Sequence, residues 1–186
     1  MAWLTEFDKN QITQGTIVDN VPWNLNHNPL GVILTNACDI QWDKANFLHI
    51  ACLLPAKDIL QNSNEFEQIT SSADEDNNLS KTKTKSLDKF FSDFIYNRNI
   101  VRFFYIDPKP VLESLPHFLL DFQNLITIPF KEEERLNPIA QLPSPHREKM
   151  ILHFSSYVSR VAVDRVDDQT YKETMQDLSE PYDPSW

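Results

Sequence analysis

The sequence predicts one α+β domain that is mainly β, with an inserted loop and helix and a packed helix near its C-terminal end. Two observations carry this prediction: short apolar runs recur between proline, glycine and asparagine breaks, and a later stretch places apolar residues at helical spacing. The chain has 186 residues, 41% of them hydrophobic, so one core can form without a metal or a disulfide. We expect a single globular domain over residues 1–163.

Strands are predicted where apolar runs are short and end at turn residues. Five regions qualify, namely 16–18, 31–35, 47–54, 100–106 and a strand pair or bent strand within 118–130. The run 31–35 is nearly all apolar and partly β-branched, so we expect it to be buried on both faces. The acidic run 132–134 predicts a solvated turn or the start of a short helix.

Residues 61–85 differ in composition from the rest of the domain. They are polar and charged with few apolar anchors, which predicts a flexible insertion or a long surface loop. A short amphipathic helix is expected to follow, with Ser86 as its N-cap. Its apolar stripe is Leu87, Phe90, Phe91 and Phe94.

The best helix pattern covers residues 144–161. Ser144 can cap it, and Pro145 would then occupy the favoured first position. The face expected to dock on the sheet consists of Ile151, Phe154, Val158 and Val161. Beyond it, residues 164–186 carry seven acidic and two basic residues, a net charge of −5. This acidic, partly disordered tail is either an interaction segment or a solvating one.

The charge balance bounds the partners of the whole chain. With 27 acidic and 17 basic residues the net charge is −10, which argues against nucleic acid as a direct ligand and favours a protein partner. No apolar run reaches membrane-spanning length, and the first residues do not resemble an export signal, so we expect a cytoplasmic protein that does not enter a membrane. Gly15 and Gly31 are the sole glycines, too few for a phosphate-binding loop, and no cofactor is expected.

Cys38 and Asp39 form the first candidate for chemistry. A cysteine at a strand end could be a nucleophile if a histidine such as His27 or His49 lay near it. The alternative is a small buried residue, and Asp39 disfavours the thiolate. A hairpin register that sets Cys52 opposite Ile33 keeps the two cysteines too far apart for a disulfide, so two free thiols are predicted.

Metal binding is not expected. The five histidines show no pair at a recognised ligand spacing, and the chain has no CxxC motif.

His146 and Arg147 are the second candidate site. They fall in the first turn of the predicted helix, where the helix dipole favours anions over cations. Either they contact an anion or a partner, with Arg102 and Arg160 as further contributors, or they pair locally with Glu148 or the acidic run 132–134.

Three stretches together resemble a poorly characterised group of small bacterial proteins. Residues 31–40, GVILTNACDI, match that group's strand ending in Cys-Asp-Ile or Cys-Asp-Leu. Residues 142–148, LPSPHRE, match its L-S-S-P-x-R-E helix, which ends in a segment like 159–161. The part between them, at residues 102–106 and 121–123, also looks like this group. Some of its members accompany antiphage defence genes, so the resemblance implies an accessory subunit of a bacterial protein complex.

The N-terminal half is also similar to PemK/MazF-type toxins, which are SH3-like barrels that cut RNA. Residues 15–18 and 29–35 fit the outline of their first two strands, and this similarity implies an SH3-like small barrel. Asn28 stands where that family has an arginine, which weighs against ribonuclease activity. We therefore expect a non-enzymatic interaction subunit. An endoribonuclease with a reworked site at Thr35, Arg102 or Arg147 is the alternative, and a Cys38-dependent hydrolase comes third.

Overall fold

The fold is built on one curled antiparallel sheet of six strands, a half-barrel. The computed structural model describes residues 2–7, 12–23, 29–71, 73, 78–98 and 102–159. The strands are β1 (Thr16–Asp19), β2 (Gly31–Ile33), β3 (Phe47–Pro55), β4 (Phe103–Ile106), β5 (Phe118–Pro129) and β6 (Asn137–Gln141). Their order is β4-β5-β3-β2-β1-β6, and every neighbouring pair is antiparallel. The predicted α+β, mainly β class is confirmed.

Helices connect and cover these strands. They are α1 (Ala37–Gln41), α2 (Ala56–Gln61), α3 (Asn64–Thr70), α4 (Lys81–Ile95) and α5 (His146–Val158), with a 3-10 helix at Phe130–Arg135. Within the described ranges, no helix combines the length and apolarity that crossing a membrane requires.

Alternation along the central strands divides the core between two faces of the sheet. Ile17 and Val32 pack on one face with Met150 of α5, whereas Val18 and Ile33 pack on the other. All five side chains are fully buried. The prediction that the apolar run beginning at Gly31 is buried on both faces is therefore confirmed, although β2 itself ends at Ile33.

Three helices cover the sheet beside β4. Leu60 of α2, Ile69 of α3 and Phe90 of α4 pack against Tyr105 and Leu119. These helices occupy much of segment 61–85, which had been expected as a loop, because a few apolar residues at helical spacing suffice once the sheet supplies the opposing surface. The flexibility of the segment stays a prediction.

The N-terminus of α4 lies earlier than the sequence predicted. Ser80 is the N-cap, and its hydroxyl accepts a hydrogen bond from the backbone N–H of Lys83. The proposed cap, Ser86, lies inside the helix and donates to the carbonyl of Thr82. The predicted stripe is nevertheless sound, since Phe90 is buried among its aromatic neighbours.

Helix α5 also differs from prediction at its first turn and along its face. Pro145 is the N-cap, without a side-chain hydrogen bond, so both the Ser144 cap and the first-position proline are wrong by one residue. Ile151 and Phe154 pack on the sheet as expected. The predicted Val158 contact is wrong because that side chain is largely exposed. Val161 lies outside the described residues.

Besides α2 and α3, two further elements were missed. Helix α1 lies in the connection between β2 and β3, so Cys38 is in a helix and not at a strand end. Strand β6 contains Pro138, a residue that argues against a central strand. The strand lies at the edge of the sheet, where a missing N–H is tolerated.

Strand β5 bends at a bulge organised by Asp121. Cys52 pairs with Asp121 whereas Ala51 pairs with Leu125, so three residues of β5 have no partner on β3. The Asp121 carboxylate is fully buried and accepts two hydrogen bonds from Arg102, at 2.8 and 2.7 Å. It also accepts bonds from the backbone N–H of Gln123 and the side chain of Asn124. The predicted bent strand within 118–130 is confirmed.

We predict that Asp121→Asn lowers the free energy of unfolding by about 3 kcal/mol, because an amide nitrogen would face the Arg102 donors in a buried site. Urea unfolding followed by circular dichroism measures this loss. Glu132→Gln is the matched control: it removes the exposed pair with Arg135 and should change stability by less than about 0.5 kcal/mol. Equal effects of the two substitutions would contradict the structural role given to Asp121.

Candidate functional site

A cavity of about 400 Å³ opens between the end of α4, strand β4, the N-terminal segment and helix α5. We call it the aromatic groove. It is lined by Trp3, Ile95, Tyr96, Asn97, Phe104, His146, Lys149, Leu152, His153 and Ser156. The volume is within the range of ligand and side-chain pockets.

His146 lies at the floor of the aromatic groove. Its side chain is 8% exposed, and neither ring nitrogen has a hydrogen-bond partner. The ring stacks on Trp3 with centroids 4.2 Å apart and planes inclined by 27°. Buried polar atoms are nearly always hydrogen-bonded, and an unpaired one costs about 1–3 kcal/mol. Two unpaired nitrogens in one side chain therefore distinguish this position.

The protonation state of His146 follows from its surroundings. Burial, and next the ammonium group of Lys149, lower the pKa of His146 below its usual value of 6.5. At neutral pH the ring is uncharged, so one nitrogen is a donor and the other an acceptor. His146, which the sequence suggested as a positive charge at this helix end, is thus a neutral group that can donate and accept hydrogen bonds.

Trp3 reaches the groove because the N-terminal segment is fixed to the sheet edge. Thr5 exchanges two backbone hydrogen bonds with Gln141, at 2.9 and 3.0 Å, and Leu4 is fully buried. The Trp3 ring then packs edge-to-face on Phe104, with centroids 5.9 Å apart. Phe104 also contacts the ring of His153.

The rim of the groove is apolar and exposed. Ile95, Tyr96 and Leu152 are 42%, 66% and 70% exposed. Next to them, Asn97 joins the end of α4 to β4, because its side-chain oxygen accepts a 2.6 Å hydrogen bond from the backbone N–H of Tyr105. Clustered exposed apolar side chains around a concave floor are typical of binding surfaces.

The other candidates at this helix do not join His146. Arg147 donates to Glu148 at 2.8 Å, as the local-pairing alternative expected, and this bond lowers the pKa of Glu148. Arg102 is held by Asp121. Arg160 lies outside the described residues.

The residues of the ribonuclease alternative have separate structural partners. The Thr35 hydroxyl accepts a hydrogen bond from the backbone N–H of His49, while Arg102 and Arg147 contact the acidic residues Asp121 and Glu148. Among the described residues, no recorded contact joins any two of these three groups.

The cysteines are free, as predicted, but their surroundings differ from expectation. Cys38 is exposed in α1 and not buried. Cys52 pairs with Gly31, so the predicted register opposite Ile33 is wrong by two residues. Burial, and next Asp121, raise the pKa of Cys52 to about 12, which keeps this thiol protonated.

Among the described residues, no contact joins Cys38 to a histidine that could act as its base in a nucleophilic role. The His49 ring bonds to Thr127 through Nδ1 at 3.0 Å, and His27 lies outside the described residues. Asp39 neighbours Cys38 in the same short helix. In the part of the chain that the structure describes, no group of three or more potential metal ligands occurs.

The comparisons with known proteins identify no family. No model of a known protein family matches the chain, and no curated protein matches it significantly. The two resemblances drawn from sequence motifs therefore stay predictions.

Sequence reasoning found His146 and missed the rest of the groove. His146, Lys149, His153 and Ser156 are spaced 3, 4 and 3 residues apart, which is one helical stripe. This polar stripe was an available signal. No sequence signal indicates that Trp3 and Tyr96 line the groove, because their segments are distant from α5 in sequence and approach it only when the chain folds.

We predict that His146→Phe removes one component of the pH dependence of stability. In the unfolded chain His146 binds a proton near pH 6.5, whereas in the folded chain burial lowers its pKa. The wild-type free energy of unfolding therefore falls as the pH drops below 6.5, and it continues to fall until the pH passes the lowered pKa of the folded state. Urea unfolding of both proteins between pH 8 and pH 5 measures the difference. Parallel pH curves would contradict the burial of an unpaired, neutral His146.

Proposed function

We propose that the chain is a non-enzymatic interaction subunit, and that its aromatic groove binds an apolar side chain of a larger protein partner. The observation that carries the proposal is the pair of unpaired nitrogens of His146 at the floor of a groove with an exposed apolar rim. Such a site combines apolar surface with two nitrogen atoms that lack hydrogen-bond partners, and a mainly apolar lining with a few polar groups is typical of binding pockets.

The groove suits a peptide segment in particular. A neutral imidazole offers one donor and one acceptor, and a peptide group offers the complementary acceptor and donor. An apolar side chain inserted beside Tyr96 and Leu152 would remove their exposed area from water, which favours association. Buried central anchors of this kind dominate the energetics of protein interfaces.

Charge favours a protein over nucleic acid as the partner. The chain carries a net charge of −10, so long-range attraction favours a partner with a basic surface. The bacterial and antiphage context rests on the resemblance of residues 31–40 and 142–148, and the SH3-like outline rests on residues 15–18 and 29–35. The cytoplasmic location rests on the first residues, which do not resemble an export signal. These remain parts of the proposal.

We predict that Leu152→Glu and Tyr96→Glu weaken capture of the partner by about tenfold or more, because each sets a carboxylate at a rim that must lose water on binding. The tagged full chain is used to capture proteins from its native host at moderate salt, and mass spectrometry quantifies one species at near-equal stoichiometry.

The matched control is Trp42→Glu, which makes the same charge change at an exposed aromatic residue outside the groove. It should leave capture unchanged. Equal capture by all three variants would contradict the groove as the interface. A clean monomer without any stoichiometric protein would contradict the interaction role itself, and incubation with total RNA would then test the ribonuclease alternative.

Removal of residues 164–186 is expected to reduce capture of the same partner. These residues lie outside the described part of the chain, but their net charge of −5 and the aromatic Tyr182 and Trp186 are suited to a basic partner surface. Capture with the chain 1–163 measures the effect, and a thermal melt checks that the domain is intact. Unchanged capture would remove the tail from the interface.

A further inference from the structure

A second cavity, of about 460 Å³, lies on the other side of β4 from the aromatic groove. It is enclosed by helices α2 and α4 and by residues just before β5. Its walls are predominantly apolar and include Leu60, Phe91 and Phe94. We call it the apolar cavity. Its volume is that of sites for small molecules, and its composition favours a ligand with an apolar body.

One hydrogen-bonded pair of side chains lies in the wall of this cavity, beside the polar side chains of Lys57 and Gln61. The hydroxyl of Tyr105 lies 2.8 Å from Nδ1 of His117, and the two rings stack with an interplanar angle of 18°. Tyr105 is 8% exposed. Burial, and next Asp107, raise the pKa of Tyr105 to about 12, so the phenol keeps its proton.

The pair always retains a spare donor. If Tyr105 donates to Nδ1 of His117, the hydrogen on Nε2 is left over. If Nδ1 carries the hydrogen, it donates to the Tyr105 oxygen, and the phenol O–H is left over. In both tautomers the cavity therefore offers a donor, which a ligand oxygen can accept.

A cation lies at the mouth of the same cavity. Lys57 of α2 is exposed and lines the cavity. Its flexible ammonium can meet a ligand anion at the surface while the apolar part of the ligand lies between the helices. The arrangement thus has an apolar interior, a neutral donor and a cation, together with the amide of Gln61. The carboxylate of Asp107 lies 3.6 Å from Nδ1 of His117, so a ligand anion is attracted to the Lys57 side of the pair.

We propose that the apolar cavity binds a monocarboxylic acid with an apolar chain or ring. The carboxylate lies between Lys57 and the Tyr105–His117 pair, and the hydrocarbon packs on Leu60, Phe91 and Phe94. A carboxylate accepts from both groups and can carry an apolar body of this size. The inference is independent of the function proposed for the aromatic groove.

The test is calorimetric titration of the full chain with octanoate, octan-1-ol and octylammonium. Octanoate is expected to bind, and the alcohol and the ammonium to bind at least about tenfold more weakly, since they lack the charge that Lys57 attracts. Equal affinity for octanoate and octanol would overturn the carboxylate assignment. Absence of octanoate binding at millimolar concentration would overturn the site.

Variants assign the binding to this cavity. Lys57→Glu should weaken octanoate binding by about tenfold, because it replaces the cation at the cavity with a carboxylate. Lys85→Glu makes the same charge change on an exposed position of α4 outside the cavity, and should leave binding unchanged. Lys57 is exposed, so its variant is expected to fold, which a thermal melt verifies. Octanoate that binds Lys57→Glu as well as wild type would overturn the proposal, as would NMR shifts centred on His146 and Leu152 of the aromatic groove.

Discussion

The buried carboxylate of Asp121 is the interaction on which the rest of the architecture depends. It accepts four hydrogen bonds, two from Arg102 and two from the bulge that it organises. The bulge lets β5 pair with β3 on both sides of residues 122–124 and with β4 at one end. A buried charge is costly unless fully paired, so this network specifies where the sheet bends. Strand β4 takes its position from that bend.

Strand β4 in turn separates the two sites. Adjacent residues of a strand point to opposite faces, so Phe104 lines the aromatic groove and Tyr105 lines the apolar cavity. Trp3 packs edge-to-face on both rings. Ile95, at the end of α4, borders both sites. One short strand, one N-terminal side chain and one helix end therefore shape the two concave surfaces together.

Sequence patterns predicted the features that depend on neighbouring residues in the chain. They missed the features that depend on contacts between distant segments. The apolar run at Gly31 was predictable because burial on both faces leaves a continuous hydrophobic signal. The bent strand within 118–130 was predictable because its first five residues are all buried and mostly apolar. Strand β6 was not, because Pro138 is permitted by its place at the sheet edge, which no local pattern reveals. Helices α2 and α3 are short and gain their stability from packing on the sheet, so propensity alone did not mark them.

The basic residues at the start of α5 show how an unfavourable pattern can be informative. Two cations beside the positive end of a helix dipole would oppose each other and the dipole. The folded chain removes the conflict twice: burial lowers the pKa of His146, so it is neutral, and Arg147 is paired with the carboxylate of Glu148. That carboxylate lies in the first turn, where the dipole stabilises it. What remains at this helix end is one uncharged imidazole with two unpaired nitrogens, held against Trp3 at the floor of the groove.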